Sequence, residues 1–518
     1  MKLSAIKFYE GNNIKRKSHI IKITFNDSTR TQIQKITELY IDISKRLGLQ
    51  ERLIEINDEG SEFVVWVSYS QEEVSRSIWM QLIYGNLSNQ IIFQKAKLIL
   101  EESFLFELEK SAENFDIPVI KISKGLYQFG YGKSSVVISN SYQSYENMAT
   151  VQSSLNRLWV LNQLNYNDIS TSYGKVIYDS EEIKNDISAF PITLCSVNKR
   201  ELKKIVCEDE ASVKVAIENS LSNKGDAFLY RGKENYRVIC IEGIIKTFFL
   251  LGEKVICDDE FIIKRFENVV KNVYQCIPIK FMYIDLLVDK DLRVVDVGCI
   301  FNIVKELNKS DLIETSKLLL KYLNDKDVGT IPIYAVTGTN GKTTIARLIN
   351  NLLIKLGFHT GLACTGYISI DNEVCEKGDT TGFLSSRKIL LNNKIEAAVF
   401  ETARGGIIRN GLGFEKASAS IITSVSEDHI GIDGIRNLQD LVNIKSAILD
   451  VVKSSGKYVI KAQKEVIDAA KLSFNKMKEK NQYYKTFEEM VCLFALDKNT
   501  LIDSHVDKKG EAYYLKNN

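Results

Sequence analysis

The chain has 518 residues, of which 45% are hydrophobic and 26% charged, a composition typical of a globular protein with enough apolar residues for roughly three domains. Its 68 Lys and Arg nearly balance its 66 Asp and Glu, which argues against a nucleic-acid-binding protein. Nine scattered cysteines without a CxxC pair, together with only four histidines, argue against a disulfide scaffold or a zinc site. Neither a signal peptide nor an apolar run of about 18 residues is recognisable, so we expect a cytoplasmic protein without a membrane span.

Three stretches of the chain differ in the spacing of their apolar residues. Residues 1–155 mix strand-like runs with helical ones, and the apolar spacing at 91–112 predicts one long helix. Residues 156–328 alternate short strands with helical segments. Residues 329–518 repeat a pattern of strand, loop and helix. We therefore predict an α/β multidomain protein with three domains at these boundaries, the first of them mixed α+β.

The last stretch has the pattern of a parallel sheet. Its strands, for example at 331–336, 396–401 and 417–425, are apolar along their whole length, as strands buried on both faces are. The helix after the first strand is expected to end at Gly357. Because ligands bind at the carboxyl ends of the strands in such a sheet, polar residues that follow the strands are candidates for function.

A glycine-rich loop, VTGTNGKTT, follows the first of these strands and resembles a P-loop. Its glycines let backbone amides turn toward an anion, and the helix that follows adds its positive amino-terminal dipole. The lysine is expected to contact the β- and γ-phosphates, and the next hydroxyl to bind Mg2+. The alternative is an ordinary strand–helix turn that contains glycines. The predicted nucleotide-binding residues are Gly338, Thr339, Asn340, Gly341, Lys342, Thr343 and Thr344.

Polar residues also follow two later strands. Glu401 ends the second strand, and Asp428 and His429 follow the third, which places all three at the same predicted edge of the sheet. Each has an ordinary alternative, a surface salt bridge for Glu401 and a structural or solvated role for His429. Lys445 lies on a predicted helix, where the residues alone favour an exposed lysine.

The order VTGTNGKTT, Glu401, Asp428-His429 and a helical lysine resembles the ATP-binding central domain of the Mur ligase family. The runs GDTTG, ETARGGIIRNGLGFE and DHIGIDGI resemble, more narrowly, the corresponding part of the cyanophycin synthetases. Upstream the resemblance is weaker. FYEGNNI resembles the start of their amino-terminal domain, and LYQFGYGKSSVVIS and NYRVICIEGIIK resemble segments leading into and lying within their ATP-grasp domain. The resemblance implies an ATP-grasp-like middle domain and a P-loop central domain with a mostly parallel sheet.

The resemblance implies ATP-dependent carbon–nitrogen ligation through an acyl phosphate. Lys342 and one Mg2+ on Thr343 and Glu401 would neutralise the β- and γ-phosphates, so that a carboxylate can approach them. His429 would hold a second metal that orients the acceptor carboxylate. Lys445 matches the position at which many members carry a carbamylated lysine.

The family pattern also implies weaker roles for residues that contact the acceptor. Arg404, in ETARGG, would pair with the carboxylate of the acceptor, since its planar guanidinium suits bidentate binding. Thr380 and Thr381, in GDTTG, are expected to face the same cleft. The implied substrate is an amino acid or a peptide.

The chain departs from the family pattern in its last third. Ser424 stands where many members have Asn, and Gln463 follows Ala462 where an Asn-Ala-Asp-Asp-type run is common. Too little chain remains after residue 462 for a typical closing carboxy-terminal domain, so we expect that domain to be missing.

The middle region departs further. Cys195-Ser196 stands where the ATP-grasp pattern has a Lys-Pro followed by a glycine-rich phosphate loop, and Asp296-Val297-Gly298 replaces a metal-binding Glu-x-Asn. We therefore predict that residues 156–328 keep the fold and have lost the chemistry.

Three functions fit these patterns. The first is an ATP- and Mg2+-dependent acid–amino-acid ligase of the Mur and cyanophycin synthetase type. The second is an ATP-binding pseudoenzyme that acts as a scaffold or regulator of a full-length ligase, and association with such a ligase or with further copies of the chain is open. The third, a motor or small-molecule kinase, leaves ETARGG and the Asp428-His429 pair without a role.

Overall fold

The computed structural model divides the chain into two compact units. One contains Met1–Glu101, Gly130–Ser135 and Gly329–Asn518, and the other contains Glu102–Phe129 and Val136–Val328. We call them the P-loop unit and the middle unit. The structure describes residues 2–85, 87–100, 104–123, 125–139, 147–172, 174–177, 190–199, 204–222, 227–251, 255–256, 260–288, 291–302, 307–427, 430–431, 435–480 and 485–515.

Strands and helices alternate along the chain. The strands are β1 Lys2–Tyr9, β2 Ile20–Asn26, β3 Leu53–Asp58, β4 Glu62–Ser68, β5 Val119–Ser123, β6 Leu126–Phe129, β7 Val136–Ser139, β8 Gly174–Ile177, β9 Ile192–Ser196, β10 Ile205–Cys207, β11 Ala227–Arg231, β12 Tyr236–Ile241, β13 Ile244–Leu250, β14 Val255–Ile256, β15 Phe281–Val288, β16 Leu292–Cys299, β17 Ile333–Thr337, β18 Thr360–Cys364, β19 Gly366–Ile370, β20 Glu373–Gly378, β21 Ala397–Glu401, β22 Ala417–Ile422, β23 Val452–Lys461, β24 Val491–Ala495 and β25 Glu511–Tyr514. The helices are α1 Arg30–Arg46, α2 Glu72–Tyr84, α3 Asn89–Ile99, α4 Phe104–Ala112, α5 Met148–Ser153, α6 Arg157–Tyr166, α7 Glu210–Ser222, α8 Glu260–Cys276, α9 Lys309–Asp325, α10 Lys342–Lys355, α11 Phe383–Leu390, α12 Arg404–Asn410, α13 Leu438–Lys445, α14 Lys464–Lys480, α15 Phe487–Met490 and α16 Thr500–Asp507. The described 3-10 helices are Glu113–Phe115, Gly132–Ser134, Ile300–Asn302 and Ser446–Ile448.

The first part of the P-loop unit is an antiparallel sheet with strand order β1-β2-β4-β3. Alternate residues of β2 and β4 pack with α1, α2 and α3 into one core, which contains Phe25, Tyr40, Val65 and Trp79. This arrangement agrees with the mixed α+β class predicted for the start of the chain.

The prediction of one long helix at 91–112 is wrong. The helix α3 ends at Ile99, and Leu100 leaves the helical region with ψ 116°; the next described residues form α4. The apolar stripe misled the prediction because it belongs to two cores. Ile92 and Ala96 pack in the core of the first sheet, whereas Leu105 and Leu108 pack in the core of the middle unit.

The second part of the P-loop unit is a sheet of nine described strands, in the order β20-β19-β18-β21-β17-β22-β23-β24-β25. The strands from β18 to β25 in this order pair in parallel, and β19 and β20 add an antiparallel hairpin beside β18. Every residue of β18 and β21 is buried, as expected for central parallel strands. The predicted parallel sheet is thus confirmed. Gly357, which has φ 90°, lies two residues after the last residue of α10, as expected for a glycine that ends a helix.

The middle unit contains three described antiparallel sheets, ordered β5-β6-β7, β10-β9-β11-β8 and β14-β13-β12-β15-β16. Its main core joins β12, β13, β15 and β16 to α4, α8 and α9. Several sheets with interspersed helices confirm the predicted α/β multidomain class, while the three domain boundaries stay a prediction. Among the described residues, no helix is both long and apolar enough to cross a membrane.

Candidate nucleotide site

The predicted site residues meet at one edge of the parallel sheet. Because β17 lies between β21 and β22, the carboxyl ends of these three strands are adjacent. The glycine loop follows β17, Glu401 ends β21, and Thr423 follows β22. Sequence reasoning predicted this convergence for the loop and for Glu401.

The glycine loop adopts backbone angles that favour glycine. Gly338 has φ 148° and Gly341, the residue before α10, has φ 83°. A Cβ atom on Gly338 would lie 1.9 Å from the hydroxyl oxygen of Thr423, which leaves no room for a side chain. The Thr339 amide donates to the Ser424 carbonyl at 2.7 Å, and the Asn340 amide lies 3.4 Å from the Ser424 hydroxyl. Ser424, which stands where the resemblance predicts Asn, therefore contacts the glycine loop.

Glu401 is a buried carboxylate, 2% exposed, beside the start of α10. The Thr343 hydroxyl donates to its Oε2 at 2.9 Å. The Thr365 amide donates to Oε2 and the Thr365 hydroxyl to Oε1, each at 2.8 Å. The pair formed by Thr343 and Glu401 fits Mg2+, because the ion prefers oxygen ligands in octahedral geometry at about 2.0–2.1 Å, which puts neighbouring ligands about 2.9 Å apart.

Two lysines approach the glycine loop. Lys342 Nζ donates to the Thr339 carbonyl at 2.9 Å, and Lys445 Nζ donates to the Thr339 hydroxyl at 3.3 Å. Lys445 is only 6% exposed, so the interpretation of this residue as an exposed helix lysine is wrong. The helix α13 ends at Lys445 against the loop, which periodicity alone does not reveal.

The structure also describes the remaining predicted residues, Thr344, Thr380, Thr381 and Arg404. The Thr380 hydroxyl is buried and donates to the Cys364 carbonyl, while the Thr381 hydroxyl donates to Asp379 at 3.3 Å. Arg404 begins α12 just after Glu401 and is half-buried. Thr344 has an exposed side chain. The functional roles given to these residues stay predictions.

Asp428 and His429 lie outside the described residues, so the structure does not test the proposed second metal site. In the part of the chain that it does describe, no three His, Cys, Asp or Glu side chains cluster as a metal site would require. A Mg2+ bound beside the glycine loop would have Thr343 and Glu401 among its ligands, with phosphate oxygens and water in the rest of the shell.

Sequence reasoning missed Thr365, Thr423 and Ser426. The Ser426 amide donates to the Thr339 hydroxyl at 3.1 Å, and the Thr423 hydroxyl donates to the Asn340 carbonyl. Thr365 follows β18, the neighbour of β21, and Thr423 follows β22. Applying the strand-end rule to hydroxyl residues as well as to charged ones would have found both.

The middle unit holds Asp296, which the resemblance to the ATP-grasp pattern aligns with a metal-binding Glu, in a buried ion cluster. Its carboxylate pairs with Lys199 and lies 3.6 Å from the Arg157 guanidinium, and the Tyr283 hydroxyl donates to it at 3.2 Å. Burial opposes ionisation of Asp296, but Lys199 and Arg157 outweigh it and lower its pKa. Burial in turn lowers the pKa of Lys199 to about 8. The cations that surround Asp296 agree with the predicted loss of metal chemistry, which stays a prediction.

Comparisons with known proteins agree with the site. Residues 336–501 match the family model of the Mur ligase middle domain. A cyanophycin synthetase of Synechocystis sp. is 37% identical over 182 residues, which cover 35% of this chain and 20% of that protein. A UDP-N-acetylmuramoyl-L-alanyl-D-glutamate--2,6-diaminopimelate ligase of Helicobacter pylori is 28% identical over 183 residues, covering 34% of this chain and 36% of that protein. The matched part thus spans about a fifth of the cyanophycin synthetase. The predicted resemblance to Mur ligases and cyanophycin synthetases is confirmed.

Solved structures give weak overall superpositions. An ATP-grasp RimK domain protein from Sphaerobacter thermophilus aligns with TM-score 0.28 and 14% identity, covering 34% of this chain and 69% of that one. A solved UDP-N-acetylmuramoyl-L-alanyl-D-glutamate--2,6-diaminopimelate ligase aligns with TM-score 0.25 and 23% identity, covering 35% of each chain.

Proposed function

We propose that the chain is an ATP-dependent ligase, which joins a carboxylate to an amine through an acyl phosphate. The premise of this proposal is the match of residues 336–501 to the Mur ligase middle domain. One observation supports this most directly. The buried Glu401 carboxylate faces the Thr343 hydroxyl at 2.9 Å, at the start of the helix that follows the glycine loop. A P-loop with a metal-binding hydroxyl and carboxylate is suited to hold Mg2+ and a triphosphate.

The residues of the chain act mainly by placing positive charge around the phosphates. Lys342 would leave the Thr339 carbonyl and contact the β- and γ-phosphates, while loop amides and the amino-terminal dipole of α10 bind the phosphate oxygens. Mg2+ held by Thr343 and Glu401 would neutralise the phosphates further. The acceptor carboxylate then attacks the γ-phosphorus and ADP leaves. An amine attacks the carbonyl carbon of the acyl phosphate, loses a proton, and phosphate leaves as the amide forms.

The proposed substrates are an amino acid or peptide carboxylate and an amine. The relative from Helicobacter pylori is named as a 2,6-diaminopimelate ligase, so its named substrate is an amino acid. Arg404 is proposed to bind a carboxylate of the acceptor, with Thr380 and Thr381 near it. His429 keeps its proposed role as ligand of a second metal. Lys445 is proposed to act at the loop, where its ammonium already binds Thr339.

Product release from the purified full chain tests the proposal. Incubation with ATP, Mg2+ and a panel of amino acids and Asp-containing peptides should release ADP and phosphate together with an amide product. Lys342→Ala should abolish this release. Lys355→Ala is the matched control, because Lys355 is exposed at the far end of the same helix and should leave the rate unchanged. If the chain releases no more ADP than Lys342→Ala under any condition in the panel, the ligase proposal is refuted.

The alternative of an ATP-binding scaffold or regulator has no specific support from the comparisons. Binding of Mg2+-ATP without turnover, together with co-purification of a longer ligase, would favour that alternative.

A further inference from the structure

A short amino-terminal segment, residues 9–16, contacts α12 and the chain just after α13, and these two helices carry Arg404 and Lys445. It begins at the last residue of β1, and its Tyr9, Asn12 and Asn13 are 3%, 6% and 0% exposed. A Cβ atom on Gly11 would lie 1.8 Å from the Leu412 carbonyl oxygen, which shows how closely the two backbones approach. The segment is therefore built into this unit rather than lying on its surface.

The segment binds the end of α12. The Tyr9 hydroxyl donates to the Ile408 carbonyl at 3.1 Å, and the Leu412 amide donates to the Asn12 carbonyl at 2.7 Å. Ile408 lies in the last turn of α12, and Leu412 follows it. Arg404 begins the same short helix, so its position depends on where this end is held.

The same segment binds the chain just after α13. Asn12 Nδ2 donates to the Ala447 carbonyl at 2.8 Å in a buried contact. Arg16 Nε donates to Asp450 Oδ2 at 2.6 Å, and its second nitrogen donates to the other oxygen of Asp450 and to the Ser473 hydroxyl. Both Arg16 and Asp450 have side chains only 10% exposed. Bidentate, partly buried pairs of this kind fix geometry more strongly than a surface ion pair does.

A turn organised by Asn13 presents Arg16 to its partner. Asn13 Oδ1 accepts from the Lys15 amide at 2.9 Å, its Nδ2 donates to the Lys17 carbonyl at 2.7 Å, and the Arg16 amide donates to the Asn13 carbonyl at 2.7 Å. Arg16 has φ 55°, a left-handed conformation that costs free energy and persists only when surrounding contacts hold it. Lys15 points elsewhere in this turn, since it pairs with Glu55 of the first sheet.

We propose that residues 9–16 position α12 and α13 relative to the glycine loop, with Asn12 and Arg16 as positioning residues for Arg404 and Lys445. The proposal rests on the proposed ligase function. Lys445 is the last residue of α13 and is followed at once by the 3-10 helix that contains Ala447. A displacement at Ala447 would therefore move Lys445, whereas, among the described residues, the glycine loop makes no hydrogen bond to the segment. A misplacement of about 1 Å can lower a rate by about 100-fold.

Kinetics of Arg16 variants against a matched control test the proposal. Arg16→Met should lower kcat about tenfold or more, while the Kd for Mg2+-ADP changes by no more than about twofold, because the phosphate site on the loop is intact. Arg16→Lys, which keeps the charge, should recover part of kcat. Lys15→Met removes an ion pair from the same turn and should change neither value by more than about twofold. The proposal is overturned if Arg16→Met lowers kcat no more than Lys15→Met, or if it weakens Mg2+-ADP binding as much as it lowers kcat.

Hydrogen exchange separates this proposal from the proposed function. If the unmodified chain releases no ADP, the ligase function fails, but positioning remains measurable without a substrate. Arg16→Met should accelerate amide exchange in Leu438–Lys445 and the following 3-10 helix, while amides of α10 exchange as in the unmodified chain. Equal acceleration throughout the P-loop unit would indicate a general loss of stability and refute a positioning role. Unchanged exchange in α13 would also refute it.

Discussion

Replacing Thr343 by valine tests the proposed assignment of Thr343 and Glu401 as ligands of Mg2+. Valine keeps the shape of threonine and removes the hydroxyl that lies 2.9 Å from Glu401 Oε2. Loss of a partner that orients a metal ligand lowers metal affinity about 10- to 100-fold, and the Thr343 hydroxyl would itself be a ligand, so its loss should cost about 1.4–2.8 kcal/mol of binding free energy. Since about 1.4 kcal/mol changes Kd tenfold, we expect Thr343→Val to raise the Kd of Mg2+-ADP by about 10- to 100-fold.

Titration of a fluorescent ADP analogue, with Mg2+ and with EDTA, measures this effect. Thr343→Val should lose much of its affinity for the ADP analogue in Mg2+ and little in EDTA, because the proposed role of the hydroxyl is to bind the metal. Thr365→Val removes the hydrogen bond to Oε1 of Glu401 but removes no proposed metal ligand. This variant should therefore lose less affinity for Mg2+-ADP than Thr343→Val does. Thr330→Val, away from the loop, is the control. Unchanged affinity of Thr343→Val in Mg2+, or an equal loss in EDTA, would refute the assignment of this pair to Mg2+.

Three further predictions concern the loop and the middle unit. Gly338→Ala should weaken nucleotide binding about tenfold or more, since the added Cβ atom would lie 1.9 Å from the Thr423 hydroxyl. Unchanged affinity in the same titration would contradict this prediction. Arg237→Met should lower the free energy of unfolding by about 3 kcal/mol in urea titrations, because it removes the bidentate partner of Asp285, which is 0% exposed, while Lys204, 3.2 Å away, still pairs with that carboxylate. Lys326→Met, at an exposed pair, should cost less than about 1 kcal/mol. Burial opposes ionisation of Asp285, but Arg237 and Lys204 together outweigh it and lower its pKa below the ordinary 3.8. The contribution of this pair to stability is therefore complete above about pH 4 and is lost as the pH falls through the lowered pKa, so Arg237→Met and the unmodified chain should converge in stability at acid pH.

The sequence predicted those parts of the fold that local patterns determine. Apolar strands that alternate with helices indicated the parallel sheet, and the glycines of the loop indicated an anion site, because only glycine adopts the angles of Gly338 and Gly341 easily. The stretch at 91–112 was misread, since periodicity reports which residues are buried but not in which core. The burial of Lys445 was also missed when the residues were read alone, because it depends on a contact with Thr339, far away in the sequence.

Two lysines that are distant in the sequence converge on one threonine of the loop. Lys342 binds the Thr339 carbonyl and Lys445 binds its hydroxyl. The Thr339 carbonyl is neutral, whereas phosphate oxygens are charged, so under the proposed function the Lys342 ammonium gains by exchanging this carbonyl for phosphate. The proposed function therefore predicts that positive charge is already gathered at the loop before nucleotide binds, and that the exchange requires only side-chain movement, which favours strong electrostatic stabilisation. The local turn of the loop positions Lys342, whereas the end of α13 positions Lys445. This difference is the reason that contacts of the amino-terminal segment near Ala447 should affect the rate of ligation more than the binding of nucleotide.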